Sequence, residues 1–278
     1  MAVTTAKLPK TLVDLAVACQ ADPLKFVCCA FQWGTGLLEG EDGPDTWQVA
    51  ALEEIRRELL DPAHEGAIKI GVASGHGIGK GALASWIIQW FITTRPRPQI
   101  VVTANTQSQL LTKTWRELAK WHNLSLFKSW FSWTKTAYYK IGAEESWFAA
   151  AIPWNEAKAE AFQGAHDKYV LMLEDESSAI ADTIHDTIEG SMTTPQAIWC
   201  KFGNPTRNSG RFKEIFPGGR FAHRWWTQQI DSRTCKKTDK HQIAQWVEDY
   251  GEDSDFVRVR VKGQFPRAGS TQFIGEDL

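Results

Sequence analysis

The hydrophobic pattern divides the chain into short apolar runs and longer amphipathic stretches. Residues 11–32 and 46–60 read as helices, and the second sets Trp47, Ala50, Leu52, Ile55 and Leu59 against a charged face. Beyond Asp61-Pro62 the pattern changes to runs rich in β-branched residues, at Ile68–Ala73, Ile100–Ala104, Tyr169–Leu173 and Ala197–Phe202. Each has the length of a strand buried on both faces, where helices above and below leave no polar side to alternate with. Helical stretches follow the first two runs, at Ala82–Thr93 and Gln107–Trp121. The latter places Leu110, Leu111, Trp115, Leu118 and Trp121 on one side. Strands alternating with helices predict an α/β fold around a mostly parallel sheet. Two stretches depart from the alternation. Leu124–Ala149, aromatic and Thr-rich with a break at Gly142, predicts a hairpin or edge excursion. After a turn at Pro217-Gly218-Gly219, Phe256–Val261 predicts a short alternating strand.

Composition narrows the class. A chain of 278 residues with 43% hydrophobic and 23% charged residues can bury a full core, which argues against disorder. The net charge of −2 excludes a wholly basic, histone-like binder. The charge is uneven, however: residues 201–267 carry 14 Lys and Arg against 8 Asp and Glu, a surplus of six. Arg207, Arg211, Lys213, Arg220, Arg224, Arg258, Arg260 and Lys262 fall in that stretch and could meet phosphate oxygens without reading bases. A solvated basic face is the alternative. The five cysteines form no CxxC pair and no metal-type spacing, so a reducing cytoplasm is expected. No apolar run approaches the length of a membrane span, and Asp14 and Asp22 interrupt the N-terminal stretch. Most of the fourteen tryptophans are expected to be packing anchors.

The strongest chemical signal follows the first strand. Ser74-Gly75-His76-Gly77-Ile78-Gly79-Lys80-Gly81 leads directly into a helix. Glycines let such a loop turn tightly and aim successive N–H groups at phosphate oxygens. The helix adds the positive end of its dipole, and Lys80 adds a point charge. This is a phosphate loop (P-loop) suited to a nucleoside triphosphate. It matches GxxxxGK[ST] with Ser74 in place of the first Gly and with Gly81 where a Mg²⁺-ligating hydroxyl normally stands. The strand Tyr169–Leu173 runs into Glu174-Asp175-Glu176. Asp175 is the candidate Mg²⁺ carboxylate and Glu176 the candidate base for an attacking water. Glu174 should point to the opposite face. The next strand ends in Gly203-Asn204-Pro205-Thr206-Arg207, and the Asn204 amide could contact the γ-phosphate or merely cap an Asn-Pro turn. Upstream, Gln48 in Pro44-Asp45-Thr46-Trp47-Gln48 could read an adenine edge or simply sit in a capped helix start.

The ordered series of these motifs resembles the ATPase half of the large terminase subunit of tailed bacteriophages and prophages. Thr103-Ala104-Asn105-Thr106 with Gln109-Leu110 and Trp115, and Gly210 with Phe212, add to the likeness, which covers roughly residues 22–266. The resemblance implies a P-loop NTPase of the helicase-like type, with an additional strand between the phosphate loop and a catalytic Glu. It implies a helical segment with the adenine-side motif at 1–60, an ATPase core at 61–225 and a small basic linker subdomain at 226–278. By the same likeness Gln48 would read adenine and residues 74–81 would bind phosphates. Lys80, Glu176 and Asn204 would act in catalysis, and Asp175 would hold Mg²⁺. The implied activity is ATP-driven translocation of double-stranded DNA through a portal protein, with a small terminase subunit as partner and a homo-oligomeric ring as the working state. The implied location is the host cell cytoplasm, with no membrane contact. A nuclease domain would begin where the chain stops at Leu278, so cleavage is expected to lie outside it. Arg95, Arg97, Arg116 and Arg207 are candidates for an arginine finger. Two other readings are a nucleotide-binding assembly module whose hydrolysis Gly81 impairs, and a helicase-like DNA remodeller.

Overall fold

The structure, a computed structural model, describes residues 11–153, 168–194 and 196–267. The expected helix over 11–32 is two helices, α1 (Leu12–Ala18) and α2 (Pro23–Ala30). They divide because Asp22 caps the Lys25 N–H and Pro23 starts a new first turn, where its missing N–H costs nothing. Helix α3 (Thr46–Leu60) matches expectation and opens on a capping box built by Asp45 and Gln48.

The described residues form one eight-stranded sheet in the order β3-β4-β5-β2-β6-β7-β1-β8. Its parallel part comprises β5 (Phe148–Ala151), β2 (Gln99–Ala104), β6 (Tyr169–Asp175), β7 (Gln196–Gly203), β1 (Ile68–Ser74) and β8 (Trp226–Ile230). β3 (Phe131–Trp133) and β4 (Ala137–Lys140) add antiparallel at one edge, which is the excursion expected between Leu124 and Ala149. β7 lies between the phosphate-loop strand β1 and the acidic strand β6, so an additional strand stands between them as expected. β8 lies in the segment expected to form the linker subdomain, yet it pairs with β1 from Ile70↔Trp226 to Ser74↔Ile230. The sheet therefore continues past residue 225.

Helices cover both faces. On one, α1–α3, α4 (Lys80–Thr94) and α6 (Trp115–Leu124) enclose the larger core, in which Phe31, Trp33, Trp86 and Trp121 pack edge to face or tilted with centroids 4.9–6.4 Å apart. On the other, α7 (Asp182–Ser191) and α8 (Arg211–Glu214) cover Val170, Met172 and Trp199. The tryptophans in these cores are packing anchors, as expected. α4 is buried nearly all round, so it shows almost no amphipathic stripe.

Two local structures differ from expectation. Gln107–Trp121 is not one regular helix: a short α5 (Gln107–Gln109) passes through a π-turn at Leu110–Thr114 into α6. Phe256–Val261 is not a strand. It lies in and beside α10 (Asp255–Arg260), which Ser254 caps and which packs Val257 and Val261 against Ile243 of α9 (Lys240–Tyr250). The end of the expected linker subdomain, residues 268–278, falls outside the described residues. Among the described residues no helix is long and apolar enough to cross a membrane.

Candidate nucleotide site

The C-terminal ends of β1, β6 and β7 meet along one edge of the sheet, where an open α/β sheet places its ligands. A cavity of about 900 Å³ opens there. Lys80, Asp175, Glu176 and Asn204 all line it, together with residues 76–82. The four residues expected to carry the chemistry thus share one cavity although up to 124 positions separate them.

The loop reaches its shape through Gly79, which stands before α4 at φ +91°, a conformation that L side chains rarely adopt. Lys80 Nζ donates to Ser74 Oγ at 2.9 Å and lies 3.5 Å from Asn204 Oδ1. Asn204 Nδ2 donates to the Ser74 carbonyl at 2.6 Å, so the amide ties the end of β7 to the start of the loop. Asn204 is 3% exposed, and it bridges strands in addition to facing the cavity.

The opening part of the loop is engaged by the chain itself. Gly75 N–H donates to the Ile230 carbonyl at 3.1 Å and His76 N–H to the Arg260 carbonyl at 2.8 Å. Those two N–H groups, expected at the phosphates, therefore hold the ends of β8 and α10, and the loop N–H groups not engaged in this way begin at Gly77. Ser74 is wholly buried, and its hydroxyl donates to the Gly75 carbonyl while accepting from Lys80. Gln48 is likewise committed. Its carbonyl oxygen accepts from Asp45 N–H at 2.8 Å and its amide donates to the Gly79 carbonyl at 3.0 Å, fixing α3 against the loop.

The acidic pair sits where the sheet ends. Glu176 has left-handed backbone angles, φ 54° and ψ 40°, an uncommon conformation for a residue with a side chain and one that recurs at active sites. Asp175 Oδ1 accepts from the Glu176 N–H at 3.0 Å, and its Oδ2 accepts from Thr114 Oγ1 at 2.5 Å. Burial, followed by the neighbouring Glu176 charge, raises the Asp175 carboxyl above its usual range against the opposing pull of Thr114 and Lys80. Burial lowers Lys80, with Glu176 and Asp175 pulling the other way. Both shifts suit a site completed by charges that arrive with a ligand. Desolvation, then Lys80, Arg260 and Lys113, lowers His76 to about 4, so its ring is neutral at physiological pH.

Glu174 points to the opposite face, as the strand alternation requires, and meets a fully buried polar cluster. It accepts from Trp199 Nε1 at 2.8 Å and Ser177 Oγ at 2.5 Å, and pairs with Lys201 Nζ at 3.3 Å. Lys201 Nζ also stands 2.6 Å from His185 Nδ1. Burial lowers His185, with Glu174 pulling the other way and Lys201 adding to the lowering. Burial alone would raise Glu174, but His185, Lys201 and the hydroxyl of Ser177 outweigh it and hold the carboxyl at about 2.

Of the candidate arginines, Arg116 lines the cavity. Arg207 lines a neighbouring one with Asp182 and Arg211. Arg95 does not fit a finger: it is 2% exposed, with its guanidinium 4.2 and 4.4 Å from the Trp90 and Phe91 ring centroids. Thr114, Lys113 and Glu117 also line the cavity and were missed from sequence. The available signal was Thr114 itself, a hydroxyl four residues from both Leu110 and Leu118 and thus at a core position of an amphipathic helix.

An Mg²⁺ ion fits this donor set. Mg²⁺ prefers one or two carboxylates plus phosphate oxygens and water to an all-protein cage. Asp175 offers one such carboxylate, and no group of three His, Cys, Asp or Glu that could hold a metal occurs among the described residues.

Comparison with solved structures identifies the architecture. The large terminase of bacteriophage HK97 superposes with a TM-score of 0.65 over 88% of this chain and 55% of its own, at 13% identity. The large terminase of a thermophilic bacteriophage, solved in complex with ADP, gives 0.60 over 80% and 53%, at 12% identity. A Thermus phage P74-26 large terminase ATPase domain gives 0.52 over 84% of this chain and 100% of its own, at 14% identity. The chain has the fold of a large terminase ATPase domain. A probable terminase large subunit of Enterobacteria phage P7 is 25% identical over 249 residues, covering 84% of this chain and 48% of that protein. The chain thus spans about half the length of the P7, HK97 and thermophilic-phage proteins. No family model matches it.

Proposed function

We propose that this chain is the ATP-hydrolysing motor domain of a phage large terminase, driving double-stranded DNA through a portal protein into an empty capsid. The observation that carries this reading is the convergence of Lys80, Asp175, Glu176 and Asn204 on one cavity at the edge of a parallel sheet. Lys80 and the free N–H groups at the start of α4 bind the phosphates. Asp175 would hold Mg²⁺, which would supply positive charge against the phosphate oxygens. Glu176 accepts the proton of a water whose oxygen attacks the γ-phosphorus as the bond to the β-γ bridging oxygen breaks. Contacts of Asn204 with both Lys80 and the start of the loop support a role for its amide in registering the γ-phosphate.

The DNA-facing surface is narrower than the charge count suggests, because much of the basic surplus is paired. Arg211 pairs with Asp186, Arg224 with Glu189 and Lys262 with Glu252, while Arg258 donates to the Phe265 carbonyl. Arg260 lies over the Phe256 ring and beside His76. Arg207, Lys213 and Arg220 make no ion pair among the described residues and are the candidate phosphate contacts. A ring of copies, a portal protein and a small terminase subunit are the proposed partners, and the host cytoplasm is the proposed location.

Steady-state ATPase and nucleotide-binding assays test the reading. Lys80→Ala should abolish binding. Glu176→Gln should bind nucleotide but lose turnover by a factor of about 10²–10⁴. Normal turnover in both variants would remove the assignment.

A further inference from the structure

The hydroxyl that usually follows the phosphate-loop lysine is absent here, because Gly81 occupies its place. We propose that Thr114, from the π-turn on a different element, supplies the missing hydroxyl by positioning Asp175 for the Mg²⁺-nucleotide. The inference rests on the nucleotide reading of the site.

Three observations support it. First, the hydrogen bond is in place: Thr114 is 2% exposed and donates to Asp175 Oδ2 at 2.5 Å, a charge-assisted contact inside the cavity wall.

Second, the space beside Gly81 is taken by the element that carries Thr114. A Cβ at Gly81 would stand 3.3 Å from Glu117 Cγ and 3.6 Å from Glu117 Cβ. Thr114 and Glu117 are three residues apart and therefore share a helix face. That face meets α4 at Gly81 through Glu117 and β6 at Asp175 through Thr114, spanning the gap that a Ser or Thr side chain at 81 would enter. Thr114 closes the π-turn, and such bulges recur at functional sites.

Third, the other hydroxyls of the loop and α4 that lie nearest are committed elsewhere. Ser85 Oγ donates to the Gly81 carbonyl at 2.8 Å, and Ser74 Oγ donates to the Gly75 carbonyl at 2.8 Å. Thr114 is thus the hydroxyl bound to the metal carboxylate. Because it acts through Asp175, it is a positioning residue.

The test measures affinity for a fluorescent, non-hydrolysable ATP analogue as Mg²⁺ is titrated. Thr114→Val removes the hydroxyl and keeps the shape. It should raise the Mg²⁺ concentration at half-maximal binding about 10-fold or more, the range for partners that hold a metal ligand, and leave Mg²⁺-free affinity unchanged. Thr114→Ser should stay within about twofold of the parent, because the donor is retained. Gly81→Ser, placed in the Thr114→Val chain, should recover most of the loss, since the flexible Glu117 side chain can yield a few tenths of an ångström. If Thr114→Val loses its cooperative melt, Thr114→Ala carries the same expectation. An unchanged Mg²⁺ midpoint in the hydroxyl-free variant overturns the proposal, as does an equal loss with and without Mg²⁺. If the parent chain binds no nucleotide at all, the site reading fails and takes this inference with it. Binding in the parent with no response to Thr114→Val overturns the inference alone.

Discussion

Replacing Lys201 by Met should destabilise the protein in a strongly pH-dependent way, through the carboxylate it leaves behind. Lys201 and Glu174 are both 0% exposed and lie 3.3 Å apart, with the Lys201 ammonium also over the Trp199 ring at 4.3 Å. Methionine matches the length of the lysine stem, so little packing is lost and the change isolates the charge. Removing one partner of a buried ion pair costs about 3–5 kcal/mol, because the other charge stays desolvated. At roughly 2–4 °C per kcal/mol for a chain of this size, the melting temperature should fall by about 6–20 °C.

The sign follows from linkage. With Lys201 present, the Glu174 carboxyl is depressed to about 2, so its stabilisation holds above the ordinary range near 4.5 and is lost as pH falls toward 2. Without Lys201, one of the two cations that offset burial is gone, so the carboxyl rises, and only protonation of Glu174 itself or of His185 beside it can relieve the unpaired charge. Either proton is lost as pH rises, so the variant loses stability toward higher pH. Burial lowers Lys201 itself to about 8, so the parent pair is charged at pH 7 and the deficit should be larger at pH 7 than at pH 5. Urea unfolding followed by tryptophan fluorescence at both values measures it, and adding Glu174→Gln should recover more than half of the loss at pH 7. A deficit below about 1 kcal/mol at pH 7, or equal deficits at both pH values, would refute the reasoning. Glu174 adjoins Asp175 and Lys201 lies three residues before Asn204, so a loss of turnover should accompany the loss of stability.

Gly75→Ala should lower the melting temperature and weaken nucleotide binding together, because a Cβ there would stand 2.2 Å from Ser232 Oγ and 2.4 Å from the Val261 carbonyl oxygen. About 1–3 kcal/mol is expected for such overpacking, and a fully stable variant with normal affinity would contradict it. Asn204→Ala should reduce turnover more than nucleotide affinity, since Lys80 keeps its contact with Ser74 while the tie to the Ser74 carbonyl is lost. Equal loss of both in single-turnover and binding assays would count against it. Neutralising Arg207, Lys213 and Arg220 together should flatten the salt dependence of DNA binding by up to about 0.9 per lost phosphate contact. An unaltered slope would remove these residues from the DNA surface.

The parallel sheet and phosphate loop were legible because buried strands must be continuous apolar runs and a loop that wraps phosphate needs its glycines at fixed spacing. Asp175 and Glu176 were legible from their place at a strand end. What stayed hidden depends on tertiary partners. The alternation Phe256-Val257-Arg258-Val259-Arg260-Val261 suggests a strand, but Ser254 caps a helix there and Ile243 receives Val257 and Val261. Ser254-Asp255 carried that cap signal, outweighed by the apolar pattern. β8 was missed because Trp226–Ile230 is half polar and pairs only with β1, as an edge strand can. Beyond marking Thr114 as a hydroxyl at a core position, the spacing could not show its bond to Asp175, which depends on a tertiary partner. Nor could the sequence show that Gly75 and His76 spend their N–H groups on carbonyls of residues 230 and 260.

Those last bonds determine how movement can leave the loop. They join peptide groups, so no side-chain replacement at Ile230 or Arg260 deletes them, and the residues at these positions can drift without uncoupling the parts. A shift of the loop would be handed to α10 as through a riveted joint, and an amide-to-ester exchange at His76 would draw one of its two main-chain rivets.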